Sequence, residues 1–310
     1  MQNRHPFVTI GLMVYNEEKY IALAIASILE QDYSNYEIII ADNASTDRTG
    51  EIALKYADRD SRIKYFRHAQ NIGALDNFNF LVRNANGKYF VLAGGHDLWS
   101  QNYITALTDA LENHPGAVLA HAPTSWLDDS GQHLNKRTGF IDTSGLDSVA
   151  RFNLVMWNNQ HAMYGLYRLS VLRETRLQMQ FVGSGILMLC ELALQGDIIL
   201  APEAMWYRRM NRKPESREDR LKRYHKILFR KPRPIFLTHW LIPWYLFTST
   251  FRGKIPFGIR FLLMLSAMTS VIHYSQLMIW DVLFLFARFP LLGRLFYKSM
   301  AKKNTSDAVS

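Results

Sequence analysis

The sequence predicts an α/β protein with a mainly parallel sheet covered by helices on both faces. Two features of the first 120 residues predict it. Short apolar runs alternate with amphipathic segments, and polar clusters close the runs where such a sheet presents its ligand crevice. Phe7–Val14 reads as a buried strand. Glu17–Gln31 then carries Ile21, Ala24, Ile25, Ile28 and Leu29 at helical spacing. The β-branched run Glu37–Ala41 is the second strand, and Thr46–Ala57 the second helix. Ile63–Arg67, Ala74–Ala85, Lys88–Ala93 and Asn102–Glu112 continue the alternation as strand, helix, strand and helix. Past about residue 125 the pattern weakens. Ser125–Phe140 reads as loop or short antiparallel strands, Leu146–Trp157 and Gly183–Gln195 as helices, and Asp197–Ala201 as a strand.

Composition narrows the class. With 48% hydrophobic and 20% charged residues the chain is not disordered. The single cysteine, Cys190, excludes an internal disulfide. The N-terminus carries no secretory-signal pattern, so cytoplasmic exposure is expected. Charge is divided unevenly along the chain. Residues 1–207 hold 16 Lys and Arg against 22 Asp and Glu, a net of −6, whereas residues 208–310 hold 20 against 5, a net of +15. An anionic partner is expected for the C-terminal third. The acidic first part argues against nucleic acid. Two stretches without Asp, Glu, Lys or Arg, Pro234–Phe251 and Phe261–Trp280, favour an anionic membrane surface instead. Their Trp and Tyr residues suit an interface, and a peripheral or integral position at the cytoplasmic face is expected.

The chemistry should sit in three clusters: Tyr15-Asn16-Glu17, Asp42-Asn43-Ala44-Ser45-Thr46-Asp47 and Gly94-Gly95-His96-Asp97. Asp42 closes the second strand, where a carboxylate either accepts hydrogen bonds from a base or ribose or shapes the turn. Ser45 to Asp47 have the composition of a helix cap. The chain has no Walker A sequence, no G-x-G-x-x-G after a strand and no His-Glu-x-x-His.

From Val8 to Phe80 the order and spacing of these motifs resemble the nucleotide-binding half of family 2 glycosyltransferases. That family places Tyr-Asn-Glu after a strand, Gln-x-Tyr near a helix end, Asp-Asn/Asp-x-Ser-x-Asp after the next strand, and then Arg-x-x-x-Asn-x-Gly. Arg67, Asn71 and Gly73 fit the last element. The resemblance continues through Lys88–Ile104 and, more weakly, to about Asn211. It implies a GT-A fold, Rossmann-like, for residues 1–211, while the charge and the apolar stretches mark residues 212–310 as a basic, apolar helical region expected to associate with a membrane. It also implies a UDP- or GDP-linked sugar donor. Tyr15, Asn16, Glu17 and Asp42 would hold the base and ribose, and Asn71 and Gly73 would line the donor site, with Asn77 a neighbour.

Two departures stand out against the family pattern. The usual Asp-x-Asp, which holds Mg2+ or Mn2+ beneath the diphosphate, is Gly94-Gly95-His96-Asp97, leaving His96 and Asp97 as metal ligands. The acidic base expected near the start of the helix before Gly196 is Gly185. Glu191 lies almost two turns further on and reads as a buried or capping partner. Asp128 and Asp129 are alternative bases whose plain reading is a solvated turn. Met205–Asn211 resembles the family's Tyr-Arg-x-His ending, so Arg208 or Arg209 would stabilise the departing nucleotide. The expected function is inverting transfer to a hydroxyl of a lipid-linked or cell-surface glycan. The alternative is a catalytically impaired homologue that binds nucleotide sugar as a scaffold or regulatory subunit.

Overall fold

The computed structural model describes residues 5–158, 161–210, 238–252 and 255–287. Its centre is a seven-stranded sheet. The strands are β1 (Val8–Val14), β2 (Tyr36–Asp42), β3 (Ile63–Arg67), β4 (Tyr89–Gly94), β6 (Ala117–His121), β9 (Leu166–Arg168) and β10 (Asp197–Leu200), in the order β10-β6-β9-β4-β1-β2-β3. β1 pairs in parallel with β2 and β4, and β2 with β3. β9 alone runs antiparallel, between β4 and β6. The entry of β9 depends on Gly165, where a Cβ would lie 2.3 Å from the Ala120 carbonyl oxygen. At three residues β9 is too short to give a periodic signal, and the sequence reading has no strand there.

The strand period sorts the core into two layers. Val8, Ile10, Leu12 and Val14 of β1 and Ile38 and Ile40 of β2 face α1 (Ile21–Leu29) and α4 (Tyr103–Asn113), with Ala53 of α2 (Thr49–Ala57) beside them. Ile39, Ala41, Phe90 and Leu92 face α3 (Ala74–Asn84), α5 (Ser148–Trp157) and α7 (Ser184–Ala193). Each such buried Ile or Leu contributes about 1.5–3 kcal/mol. Gly11 keeps the second layer close, since a Cβ there would meet the Phe90 ring at 2.7 Å. Two further short helices belong to the fold's predicted plan only in part. α5 is capped by Asp147, which accepts from the Val149 and Ala150 amides at 2.9 Å, whereas α6 (Leu169–Glu174) had no sequence signal of its own.

A second sheet flanks the strand ends. It comprises β5 (Leu98–Trp99), β7 (Thr124–Leu127), β8 (His133–Thr138) and β11 (Trp206–Arg209), in the order β5-β11-β7-β8. The segment read as loop or short antiparallel strands is the antiparallel pair β7–β8.

The C-terminal apolar stretches form α8 (Thr238–Ser249) and α9 (Phe257–Ala287). Ile242 and Leu246 of α8 and Leu263 and Ala267 of α9 enter the second core layer, which accounts for part of their apolar character. Among the described residues no helix is long and apolar enough to cross a membrane. The boundary at residues 211/212, Asn211 and the basic stretch from residue 212 to 233 lie outside the described residues.

Candidate functional site

The C-terminal ends of β1, β2 and β4 open onto one crevice, and side chains knit its first two loops together. Asn16, in the left-handed region at φ 56°, donates its amide to Ser45 Oγ at 3.0 Å and accepts the Thr46 amide at Oδ1 at 2.8 Å. The Glu17 amide donates to Thr49 Oγ1 at 2.7 Å. Asp47 accepts the Glu18 amide at 3.1 Å and the Thr49 amide at 2.9 Å, tying the loop to the first residue of α2, whose N-cap position is Arg48. Tyr15 stays at the lip, 40% exposed.

Asp42 lies fully inside this network. Its Oδ1 accepts the Ser45 amide at 2.8 Å, and its Oδ2 accepts from Tyr65 Oη at 2.8 Å and Arg67 Nη1 at 3.0 Å. Asp42 thus shapes the turn, and these three hydrogen bonds do not fill the roughly four acceptor positions of a carboxylate. Gly50 lies close beneath it, where a Cβ would stand 2.6 Å from Tyr65 Oη and push that hydroxyl off Asp42. Asn71 accepts from Asn43 Nδ2 at 3.0 Å and from the Gly73 amide at 2.8 Å, while Asn43 Oδ1 accepts the Ile72 amide at 2.8 Å. Asn43 was not singled out in the sequence, yet it joins the two donor-side loops. Its place between Asp42 and the turn was the available signal. Gly73, at φ 83°, precedes α3 as a residue that needs no Cβ. Asn77 is buried between the Ala41 carbonyl and His68, at 3.0 Å from each.

The third cluster brings Glu17, His96 and Asp97 into a row. Glu17 Oε1 is 2.8 Å from His96 Nδ1, and His96 Nε2 is 3.8 Å from Asp97 Oδ1. Glu17 thus meets the imidazole rather than standing free at the lip. A carboxylate on one ring nitrogen fixes the tautomer that leaves the other facing a ligand position. Asp97 is 1% exposed and accepts the Arg209 amide at 3.1 Å. Burial pushes its carboxyl above the usual range, opposed by His96, the Arg209 amide and Arg208. Among the described residues no three His, Cys, Asp or Glu groups cluster as a metal site.

The two arginines differ. Arg209 is 5% exposed, and its guanidinium donates to the His96 carbonyl at 3.2 Å and the Asp128 carbonyl at 3.1 Å. It therefore braces the loop that carries His96 and Asp97. Arg208 lies half-buried over the Trp126 and Trp206 rings, its Cζ 4.9 Å and 5.3 Å from their centroids.

The candidate bases are placed as follows. Glu191 is buried and accepts from the Arg176 guanidinium, from the Arg176 amide at 2.8 Å and from Ser249 Oγ at 3.0 Å. Asp128 accepts the Ser130 and Gln132 amides at 2.8 and 2.9 Å, forming the turn at Gly131. Asp129 is bound by Lys19 and Tyr20 beside a cavity of about 590 Å³. The N-terminus of α7 carries Ser184 and Gly185, and no carboxylate. A Cβ on Gly183, just before it, would stand 2.6 Å from Ile242 Cδ1 of α8.

Comparison with known proteins agrees with this architecture. The model of "Glycosyl transferase family 2" matches residues 9–171. An uncharacterized glycosyltransferase of Haemophilus influenzae is 32% identical over 130 residues, 42% of this chain and 51% of the relative. The putative glycosyltransferase EpsE of Bacillus subtilis is 36% identical over 113 residues, 36% of this chain and 41% of the relative. The chain thus spans about half the length of these relatives or less. Among solved structures, residues 1–349 of S. aureus TarS in complex with UDP-GlcNAc share the fold at a TM-score of 0.60. Identity there is 13%, covering 86% of this chain and 72% of that one. The motifs at the strand ends, the GT-A fold and a family match over more than half its length establish that the chain belongs to glycosyl transferase family 2.

Proposed function

We propose that the chain is an inverting glycosyltransferase of hexosyl type, moving a sugar from a nucleoside diphosphate to a hydroxyl of a lipid-linked or cell-surface glycan. The observation that carries this reading is the row Glu17–His96–Asp97 at the mouth of a crevice whose two donor-side loops are already tied together. Tyr15 and Asn16 at the lip, with Asn71 and Gly73 opposite, would receive the nucleoside. Asp42 would hold the turn that presents them. Arg208, half-buried and near Asp97, would meet the diphosphate, and Arg209 would keep the His96 loop in place. In the step itself the acceptor oxygen bonds to the anomeric carbon from the side opposite the diphosphate. The bond to the diphosphate breaks with its electron pair, and the hydroxyl proton passes to a base.

His96 and Asp97 fit Mg2+ or Mn2+ as two ligands of a shell that needs the diphosphate and water for completion. Such a cation would neutralise charge on the leaving group. Glu17 would orient His96 toward it. Mn2+ alone should then leave the melting temperature unchanged, and Mn2+ with UDP should raise it more than UDP alone. UDP is the first nucleotide to try, because the TarS complex contains UDP-GlcNAc. A shift with Mn2+ alone, or none with Mn2+ plus either UDP or GDP, would count against this arrangement.

One observation favours a second reading. The start of α7 lacks a carboxylate, and Glu191 and Asp128 are committed to structure. A chain that binds the donor yet neither transfers nor hydrolyses its sugar would be a scaffold or regulatory subunit. Turnover assays on a broad acceptor panel separate the two readings.

Membrane association at the cytoplasmic face completes the proposal. Phe261, Leu265, Met268, Ile272 and Ile279 follow one face of α9 and are 47–74% exposed, and the chain from residue 208 on carries a net of +15. Sedimentation with vesicles rich in phosphatidylglycerol, and not with neutral phosphatidylcholine, is the expected result.

A further inference from the structure

The small sheet carries a line of side chains that starts at the candidate metal position and leaves it. Tyr207 of β11 pairs with Leu98 of β5, and the Arg209 amide reaches Asp97, so Arg208 lies across from Asp97. On its other side Arg208 pairs with Trp126 of β7. Lys136 of β8 closes the line, its Nζ 4.2 Å from the centroid of the Trp126 ring. From Asp97, just before β5, the line therefore runs through Arg208, Trp126 and Lys136 across three strands. At strand spacing, Lys136 stands on the order of 10 Å beyond Arg208.

Two cations share one indole here. Arg208 Cζ lies 4.9 Å from the Trp126 centroid, and Trp126 itself is fixed by donating Nε1–H to Thr138 Oγ1 at 2.9 Å. Among the described residues no carboxylate pairs with Lys136, and Arg208 has only the buried Asp97 near it, although most lysines and arginines of the first 90 residues have an acidic partner within ion-pair distance. The negative face of the ring attracts each cation, while the cations repel one another. A bound anion would offset that repulsion and accept a charge-assisted hydrogen bond from Lys136.

We propose that Trp126, Lys136 and Arg208 form an acceptor subsite that selects a glycan or glycan-like chain bearing an anionic group, either a phosphodiester or a uronate. This rests on the transferase reading above and adds the chemical class of its acceptor. Arg208 is shared with the donor diphosphate, so the discriminating residue is Lys136. It is exposed, lies away from Asp97 and has no other partner among the described residues. The subsite holds the acceptor one sheet width from the leaving group, with the anion as its anchor.

The test titrates the full chain, with UDP and Mn2+ present and again without them, using three oligomers of equal length: oligo(glycerol phosphate), oligoglucuronate and neutral oligoglucose. One anionic oligomer should bind about tenfold tighter than the neutral one, with affinity falling as salt rises. Lys136→Gln should remove about that factor from the anionic oligomer and nothing from the neutral one. Arg137→Gln, which alters an exposed cation on the opposite face of the same strand, should leave both unchanged. Preference for the phosphate or the uronate chain identifies the source of the anion. Equal binding of charged and neutral oligomers, binding of none, or equal losses in the two variants would overturn the proposal. UDP binding by each variant reports on folding and the donor site. A wild type that fails to bind UDP but still discriminates the oligomers would sink the donor reading and leave the subsite standing.

Discussion

The donor-side loops and the start of α7 are built in opposite ways. Asn16, Ser45, Asp47, Asn43 and Asn71 hold the donor side through hydrogen bonds between short polar side chains and backbone amides. At the start of α7, Ser184 Oγ donates to Gln178 Oε1 at 2.6 Å, and apolar contacts with α8 hold the rest, Ile242 against Gly183 and Tyr245 stacked on Phe181. Glu191 and Arg176 fasten the other end of α8 through Ser249 and Thr248. A loop held by its own polar atoms keeps its shape before ligand arrives, so donor binding needs little reorganisation. A helix start held by a distant apolar hairpin depends on that hairpin for its position.

Four experiments can break or sharpen this contrast. Asp42→Ala should have the largest effect, because it leaves Tyr65, the Ser45 amide and Arg67 without their shared acceptor. With Arg67 half-exposed, a loss of about 3 kcal/mol is expected in urea denaturation. A loss below about 0.5 kcal/mol would show that the turn stands without Asp42. Ile242→Ala should cost about 2–3 kcal/mol and lower transfer or donor hydrolysis while UDP affinity stays unchanged. Loss of UDP affinity in that variant would erase the contrast. Glu17→Ala should weaken Mn2+ binding to the UDP-saturated protein about 10–100-fold, read by competition calorimetry, through loss of His96 orientation.

The smallest effect is a pH dependence. Burial holds His161 in the neutral form and pushes its pKa from 6.5 down to about 4, with Arg208, His121 and Lys136 acting in the same direction. The unfolded chain takes up a proton near pH 6.5 that the folded chain does not bind until about 4, so stability falls as pH drops through that window. His121, also pushed down by burial, adds to the slope. His161→Gln should flatten the melting temperature between those two pH values, and an unchanged slope would remove His161 as the cause.

Much of the first half was legible because its information is local. The β-branched run ending at Ala41 and the Asn-Ala-Ser-Thr-Asp cluster after it specify a strand and a turn from neighbouring residues alone. What escaped needed contacts distant in sequence. β9 has three residues and owes its place to Gly165 against Ala120. Glu17 has the residue type of a ribose ligand, but only the fold brings it to His96, 79 residues away. The separation of Arg208 from Arg209 is likewise invisible in the sequence, because it depends on strand alternation across β11. The apolar stretches near the C-terminus looked almost long enough to span a membrane, since residues that bury against a core and residues that face outward carry the same hydropathy.

A donor side whose loops are already tied together should bind nucleotide as a finished site. Calorimetric titration of the full chain with UDP and with GDP, each with and without Mn2+, tests that most directly. Saturable one-to-one binding of one nucleotide, tightened by Mn2+ and weakened in Glu17→Ala, is the predicted result. Heat of dilution alone for both nucleotides, in a chain that melts cooperatively, would contradict it.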